Sequence, residues 1–189
     1  KSDVQLYKIK HEKKFSKIYV TVNNCIRIFQ IKNNLVPYVE NILGVISILS
    51  IYFNIEKINK KIFYNFQIPP GRGKISKIKL KNKVINLIDE SYNSNPLSLN
   101  FSIKKFNNIN VNKSKKIVIL GDMMELGKFS KKLHVQVSDI INNSNIDKVH
   151  VYGKHIRHTL NKIQTQKKGK IFNNKNEILN FIQNKIGNN

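Results

Sequence analysis

The sequence predicts an α/β protein in two parts, of which the second contains a parallel sheet. Beyond residue 74, segments with β-strand composition alternate with segments whose apolar residues recur at helical spacing. Two of the predicted strands are short apolar runs that end at a glycine, as buried strands of parallel sheets often do. The proline- and glycine-rich stretch IPPGRGK at 68–74 separates the two parts.

The first part, residues 1–70, opens with segments rich in β-branched and aromatic residues, separated by short polar turns. These predicted strands are Val4–Lys10, Phe15–Val22 and Ile26–Ile31. Pro37 suits the first turn of a following helix, and apolar residues recur behind it at helical spacing. We predict a second helix over 55–66. The longest apolar stretch, 42–53, is too short and too interrupted to span a bilayer.

The second part, residues 71–189, alternates strands and helices. Its predicted strands are Ile75–Leu80, Val84–Asp89, KKIVILGD at 115–122, DKVHVYG at 147–153 and KIF at 170–172. Its predicted helices are Pro96–Phe106, Lys131–Asn142, His155–Ile163 and Lys175–Ile186. This order favours a parallel sheet covered by helices, and such sheets bind ligands beyond the carboxyl ends of their strands.

The charge of the chain invites a nucleic-acid hypothesis that its composition does not favour. The formal net charge is +23, but arginine occurs only at Arg27, Arg72 and Arg157. Recognition of phosphates and bases favours the planar guanidinium group of arginine. A composition rich in lysine, asparagine and isoleucine is instead typical of proteins from an AT-rich genome. We therefore expect no specific nucleic-acid partner, and a basic nucleic-acid-binding domain is the least favoured alternative. The single cysteine excludes an internal disulfide framework and fits a reducing cytoplasm.

Acidic residues of the second part concentrate in two loops. Residues 71–189 contain seven acids, and four of them lie in LIDESYNSNPLS at 87–98 and in GDMMELG at 121–127. Each loop follows a predicted strand, so we expect both to lie at one edge of the sheet and to face a shared crevice. For any single residue, capping of a turn or of a helix start is the simpler explanation.

Other chemistry is not supported by residue spacing. GRGK at 71–74 lacks the spacing of a phosphate loop, although Arg72 could bind a nucleotide phosphate; a solvated linker arginine is the alternative. The histidines show no metal-site spacing, so no metal ligand is predicted. His134 opens a helix directly after GDMMELG and is the histidine near the predicted site.

The motifs around the predicted site resemble those of the Mur ligase family. The order and spacing of LIDESYNSNPLS, KKIVILGDMMELG, HVQV and IDKVHVYGK agree with the family pattern DDSYNANPxS, VLGDMxELG, H and G. PPGR at 69–72 matches the family's PxxGR, which lies between the central and C-terminal domains. YVENILGVISIL at 38–49 is similar to its NxxNALAA helix.

The resemblance implies a fold and a reaction. Residues 1–70 would be the tail of a central ATP-binding domain, made of β-strands plus helices, and 71–189 a Rossmann-like C-terminal domain. The reaction would be ATP-dependent joining of D-alanyl-D-alanine to UDP-N-acetylmuramoyl-tripeptide through an acyl phosphate, in peptidoglycan synthesis. The resemblance also implies a cytoplasmic protein without membrane attachment, and we expect a monomer.

The resemblance assigns roles to residues at matching positions, none of them catalytic. Asn41 matches the asparagine that meets the adenine, and Arg72 the arginine that contacts ATP. One of Asp89 and Glu90 matches the acid that bonds the ribose, and the motif does not decide which. The substrate-cleft candidates are Tyr92, Asn93, Asn95, Asp122, Glu125 and His134.

The sequence also departs from the family pattern. The phosphate loop GTNGKT, a modified lysine and the Mg²⁺ ligands of the central domain have no counterpart here, and Pro37 replaces a histidine. The family's last strand and helix, with a KGS-like motif, have no counterpart either. We therefore expect a piece truncated at both ends, with the Mg²⁺ ligands in the missing N-terminal part, that does not hydrolyse ATP alone. A non-catalytic remnant or nucleotide-binding α/β module is the alternative.

Overall fold

The computed structural model describes residues 3–80, 83–111 and 114–186. The chain divides into two compact units, Lys1–Ile68 and Pro69–Asn189.

Three antiparallel strands form the sheet of the first unit, in the order β1-β2-β3. They are β1 (Val4–His11), β2 (Phe15–Val22) and β3 (Cys25–Lys32). Asn23 and Asn24 turn β2 into β3, and both have positive φ, as a two-residue hairpin turn requires. The three strands confirm the sequence-based prediction, and each strand end lies within one residue of the predicted one.

A helix covers this sheet. A 3-10 turn at Asn33–Tyr38 contains Pro37 and leads into α1 (Val39–Tyr52), so the proline precedes the α-helix and does not open it. Buried side chains of β2, β3 and α1 form the core. By length and composition, Asn33–Tyr52 is the one helical stretch in the described ranges that could cross a membrane, a test that soluble core helices also pass. The sequence analysis considered only the apolar stretch 42–53 and therefore did not predict a helical stretch of 20 residues.

The predicted second helix over 55–66 is wrong. The chain forms only a 3-10 turn at Ile55–Lys57 and then continues in turns. The Asn54 Oδ1 atom accepts a hydrogen bond from Glu56 N at 2.9 Å, and Asn59 Oδ1 accepts one from Lys61 N at 2.8 Å. Asparagine side chains that bond nearby backbone N–H groups compete with helix formation.

The second unit begins with an antiparallel hairpin and continues as a parallel α/β structure. The hairpin is β4 (Lys74–Leu80) and β5 (Lys83–Asp89). Three parallel strands follow in the order β6-β7-β8, namely β6 (Ile117–Gly121), β7 (Lys148–Tyr152) and β8 (Lys168–Phe172). The helices are α2 (Pro96–Asn107), α3 (Ser130–Asn142), α4 (Arg157–Lys162) and α5 (Lys175–Phe181), which ends in a π turn at Ile182–Ile186.

This architecture confirms the α/β class and the parallel sheet, but it changes the expected position of one loop. Among the described residues, β5 pairs with β4 and not with β6, so the loops after β5 and β6 leave different sheets. The expectation that both loops end strands of a single sheet is therefore wrong. Residues of α2, α3, α4, β6 and β7 share one buried apolar cluster, which fixes the helices on the parallel sheet.

His150 in β7 makes the stability of the second unit pH-dependent. The ring is 5% exposed, its Nδ1 accepts a hydrogen bond from Lys170 N at 2.8 Å, and Phe181 lies 4.4 Å from it between ring centroids. Burial, with the positive charges of Lys148 and Lys170, lowers the pKa of His150 from 6.5 to about 4. The neutral ring is thus favoured by folding, and this stability is complete above pH 6.5 and lost as the pH falls towards 4.

We expect urea unfolding of the chain to show a loss on the order of 2 kcal/mol between pH 7 and pH 5 from this group, at about 1.4 kcal/mol per pH unit. His150→Leu removes the titrating ring and should flatten that pH dependence, whereas His158→Gln should leave it unchanged. An equal pH slope in His150→Leu and the wild type would contradict the assignment.

Candidate functional site

The acidic turn after β5 is bonded to the glycine-rich segment that precedes β4. The Gly71 N–H donates to Asp89 Oδ2 at 3.1 Å, and the Gly73 N–H donates to the Asp89 carbonyl at 2.7 Å. The Tyr92 N–H in turn donates to the Gly71 carbonyl at 3.1 Å. The segment predicted as a linker is therefore anchored along the acidic turn. We call residues 71–73 and 89–92 together the Asp89 turn.

Both carboxylate oxygens of Asp89 are engaged inside this turn. Oδ1 accepts the Ser91 hydroxyl at 2.6 Å and the Ser91 N–H at 3.1 Å, while Oδ2 accepts the Gly71 N–H. The Ser91 side-chain bond, followed by its backbone bond, lowers the pKa of Asp89. Burial opposes this shift, and the Gly71 bond adds a smaller lowering effect. Asp89 is thus held ionised and serves the local backbone.

Arg72 is presented on an aromatic surface. Its guanidinium carbon lies 4.5 Å from the centroid of the Tyr92 ring, within the range of a cation–π contact. Tyr92 is 69% exposed, so the pair lies at the surface of the second unit. Gly71 has φ +75°, and a Cβ there would lie 2.8 Å from Tyr92 N, so glycine is required for the close approach.

The remaining residues of the first loop differ in their availability. Glu90 is exposed, directly beside the engaged Asp89. Asn93 Oδ1 accepts the Ser94 N–H at 2.8 Å. Asn95 caps α2, because its Oδ1 accepts the Ser98 N–H at 2.8 Å and the Ser98 hydroxyl closes a capping box. The amide oxygens of both asparagines therefore serve local turns, as the simpler alternative predicted.

The loop after β6 is organised by Asp122. Its Oδ1 accepts the Ile156 N–H at 2.7 Å, and its Oδ2 accepts the Lys154 N–H at 2.9 Å. A side chain at Gly153, where φ is +139°, would collide with this carboxylate. Burial raises the pKa of Asp122, but backbone hydrogen bonds from Ile156, Lys154 and His155 outweigh it and leave the pKa lowered. Asp122 thus ties the loop after β6 to the loop after β7.

His134 lies beneath the same loop and is fully buried, with 0% exposure. The Met123 N–H donates to its Nε2 at 3.0 Å, and its Nδ1 lies 2.8 Å from the Ser130 carbonyl. A backbone N–H can only donate and a carbonyl can only accept, so the ring is the neutral tautomer with hydrogen on Nδ1. Its ring atoms face the protein interior, so the role that the structure gives His134 is to position Met123. That this loop borders a substrate cleft stays a prediction.

Glu125 presents its side chain to solvent from a strained backbone. Its φ is +61°, a left-handed conformation that few residues other than glycine, asparagine and aspartate adopt. Gly127, at φ +51°, continues the same turn. A left-handed residue of this type persists only where the surrounding structure holds it, and the same loop is anchored at Asp122 and Met123.

The structure thus forms two clusters within the second unit from the predicted residues. Arg72, Asp89 and Tyr92 meet in the Asp89 turn, and Asp122 and His134 organise the second loop. Asn41 is exposed on α1 of the first unit. Thr159, whose hydroxyl donates to the His134 carbonyl, was missed by sequence reasoning. The glycine after VHVY was the available signal for the close approach to Asp122.

The described residues of this site include no cluster of side chains that could bind a metal ion. Within 3–80, 83–111 and 114–186, no group of three or more histidine, cysteine, aspartate and glutamate side chains could hold a metal ion. Asp89 and Asp122 each accept hydrogen bonds from backbone N–H groups, which occupy the oxygens that a metal ion would need.

Comparison with known proteins identifies the class to which this fold and these loops belong. The sequence profile described as "Mur ligase, glutamate ligase domain" matches residues 75–189. The chain therefore belongs to the Mur ligase family.

Similar relatives carry a more specific name. The chain is 34% identical over 119 residues to the UDP-N-acetylmuramoyl-tripeptide–D-alanyl-D-alanine ligase of Buchnera aphidicola, covering 63% of this chain and 24% of that relative. It is 26% identical over 145 residues to the ligase of the same name from Rickettsia prowazekii, covering 77% of this chain and 31% of that relative. The chain thus spans about a quarter to a third of the length of these curated relatives.

Solved structures show the same fold. A MurF structure from Acinetobacter baumannii superposes with a TM-score of 0.74 at 20% identity, over 98% of this chain and 39% of that one. The MurF ligase of Thermotoga maritima, in complex with ADP, superposes with a TM-score of 0.65 at 17% identity, over 93% of this chain and 38% of that one.

Proposed function

We propose that this chain is part of an ATP-dependent ligase that joins D-alanyl-D-alanine to UDP-N-acetylmuramoyl-tripeptide in peptidoglycan synthesis. Its membership of the Mur ligase family and the names of its relatives support this proposal. Residues 1–70 correspond to the tail of the central domain and 71–189 to the C-terminal ligase domain. We place the protein in the cytoplasm, as a monomer without membrane attachment.

The proposed reaction has two steps. The γ-phosphoryl group of ATP passes to a carboxylate oxygen of the tripeptide and ADP leaves. The amine of D-alanyl-D-alanine then attacks the acyl carbon, the bond to phosphate breaks, and an amide forms. The first step needs cations around the transferred group, and the second needs both reactants held together away from water. We assign the Mg²⁺ ligands to the part of the ligase that lies outside this chain.

The single observation that carries the nucleotide role is Arg72 displayed on Tyr92 beside an exposed acid. A guanidinium suits the phosphate oxygens of a nucleotide, and a carboxylate suits the paired hydroxyls of its ribose. The oxygens of Asp89 already accept hydrogen bonds from Gly71 and Ser91, whereas Glu90 is exposed. We therefore assign the ribose contact to Glu90. An adenine contact of Asn41 stays a prediction that depends on the family resemblance of its helix.

A calorimetric titration of the chain with ADP at physiological ionic strength tests this function. We expect saturable binding that Arg72→Ala and Glu90→Gln each weaken by about tenfold, the effect of losing one charge-assisted hydrogen bond. Lys79→Ala, at an exposed position of β4, removes one positive charge elsewhere and should not change the affinity.

Inorganic tripolyphosphate separates nucleotide recognition from the general attraction of a chain with net charge +23. A nucleotide site binds ADP in preference, whereas a basic polyanion-binding domain binds tripolyphosphate equally well. Equal binding of both, or affinities that Arg72→Ala and Lys79→Ala lower alike, would refute the proposal.

A further inference from the structure

We propose that Asp89 is a positioning residue: its carboxylate holds Gly71 and so fixes the backbone that presents Arg72 on Tyr92. The nucleotide role of Arg72 rests on the function proposed above, whereas the positioning itself is a property of this chain alone. Asp89 is in this view a support for the nucleotide site, and Glu90 beside it is the group that meets the ligand.

The geometry brackets Arg72 from both sides. The residue before it, Gly71, is held through its N–H by Asp89 Oδ2 at 3.1 Å and through its carbonyl by Tyr92 N at 3.1 Å. The residue after it, Gly73, is held through its N–H by the Asp89 carbonyl at 2.7 Å. One aspartate therefore bonds the backbone on each side of the arginine.

The two glycines give the segment a shape that needs such bonds. Gly71 and Gly73 have φ values of +75° and +86°, and glycine is the residue with the most backbone freedom to lose. Without the Asp89 bonds, a segment of sequence PPGRG would sample many conformations, and Arg72 would meet the Tyr92 ring only part of the time. Because these bonds order the segment in the free protein, ligand binding does not have to supply that conformational entropy cost.

The carboxylate is better suited to this task than its isosteric amide. Ser91 donates two hydrogen bonds to Oδ1, which leaves Oδ2 directed at the Gly71 N–H. An asparagine would offer one oxygen for these donors, and its NH₂ group would face at least one N–H or O–H donor. Asp89→Asn should therefore loosen Gly71 while keeping the size of the side chain.

Nuclear magnetic resonance on the full 189-residue chain tests the positioning role directly. We expect Asp89→Asn to raise the hydrogen-exchange rate of the Gly71 amide about tenfold, the lower limit for loss of a hydrogen bond to a charged group. The upfield ring-current shift of the Arg72 side-chain protons over Tyr92 should shrink with it. Glu90→Gln is the matched control and should change neither signal.

Titration of the wild-type chain provides a second test that needs no variant. Protonation of Asp89 should move the Gly71 amide resonance and the Arg72 side-chain shift together, with a midpoint below the ordinary carboxyl value of 3.8. A Gly71 amide that does not respond to that titration, or that exchanges equally fast in Asp89→Asn and the wild type, overturns the proposal. So does an Arg72 ring-current shift that survives when the Gly71 amide is released.

ADP affinity distinguishes this proposal from the proposed function. If the wild type binds ADP, Asp89→Asn should weaken binding and release Gly71, whereas Glu90→Gln should weaken binding and leave Gly71 protected. If the wild type does not bind ADP, the nucleotide role fails, and the exchange and ring-current data still decide whether Asp89 positions Arg72. An affinity that Asp89→Asn leaves unchanged, with Gly71 released, refutes the positioning of the nucleotide contact.

Discussion

Replacement of His134 by alanine is expected to destabilise the second unit by about 3–4 kcal/mol. The fully buried ring accepts the Met123 N–H and donates to the Ser130 carbonyl, so its removal takes the acceptor from the Met123 N–H and one donor from the Ser130 carbonyl. A buried donor or acceptor that loses its partner costs about 1–3 kcal/mol, and the vacated ring volume adds a cavity.

Urea unfolding of the variant, followed by circular dichroism, measures this loss. His158→Ala is the matched control, because it removes a partly exposed ring from the neighbouring helix α4 and should change the unfolding free energy by less than about 0.5 kcal/mol. Equal midpoints for His134→Ala and His158→Ala would show that the buried bonds of His134 contribute little.

The location of the damage is as informative as its size. Met123 follows Asp122 directly, so loss of its anchor should loosen the loop after β6 before it loosens the sheet. We expect amide exchange in His134→Ala to increase at Met123 more than at Val149, which is fully buried in β7. Uniform acceleration across both positions would assign His134 a general packing role only.

The periodicity of the sequence was sufficient to predict most of the elements. Apolar alternation and β-branched residues located β1, β2 and β3, and the glycine-terminated runs located β6 and β7. These signals depend on burial, which local sequence records directly. The pairing of β5 with β4 was not predicted, because strand partners are chosen by long-range contacts that local patterns do not contain. The false helix at 55–66 arose because asparagine–backbone bonds outweighed apolar spacing.

For the candidate functional residues, the positions could be predicted from the sequence, but their hydrogen-bond partners could not. The sequence located the loops that contain Asp89 and Asp122 and could not assign partners to their carboxylates. Apart from the Ser91 hydroxyl, those partners are backbone N–H groups, which every sequence offers equally, and they include Gly71, Lys154 and Ile156. Backbone donors become recognisable only when the fold brings them near an acid. The two glycines that permit the approach, Gly71 and Gly153, are therefore the best sequence-level signal of these contacts.

Asp122 is expected to give the largest effect among the acids of the second unit. Asp122→Ala leaves the Lys154 and Ile156 N–H groups without their acceptor, and we expect a loss of about 3 kcal/mol from two charge-assisted hydrogen bonds. Asp122→Asn should lose about 2 kcal/mol, because one acceptor oxygen becomes an NH₂ group that faces a backbone donor. Glu125→Gln, an exposed acid in the same loop, is the control and should be nearly neutral.

The pH dependence of these variants distinguishes the bonds of Asp122 from its packing. The pKa of Asp122 is lowered in the folded chain, so its contribution is present above the ordinary value of 3.8 and is lost as the pH falls through the lowered folded value. The gap in unfolding free energy between the wild type and Asp122→Asn should therefore be widest at neutral pH and should narrow below pH 3.8. A gap that stays constant from neutral to acidic pH would mean that shape, and not the charge-assisted bonds to the loop after β7, explains why an acid occupies this position. Glu125 and Gly127 lie in the loop that Asp122 begins, so we also expect amide exchange at Gly127 to increase when these bonds are lost.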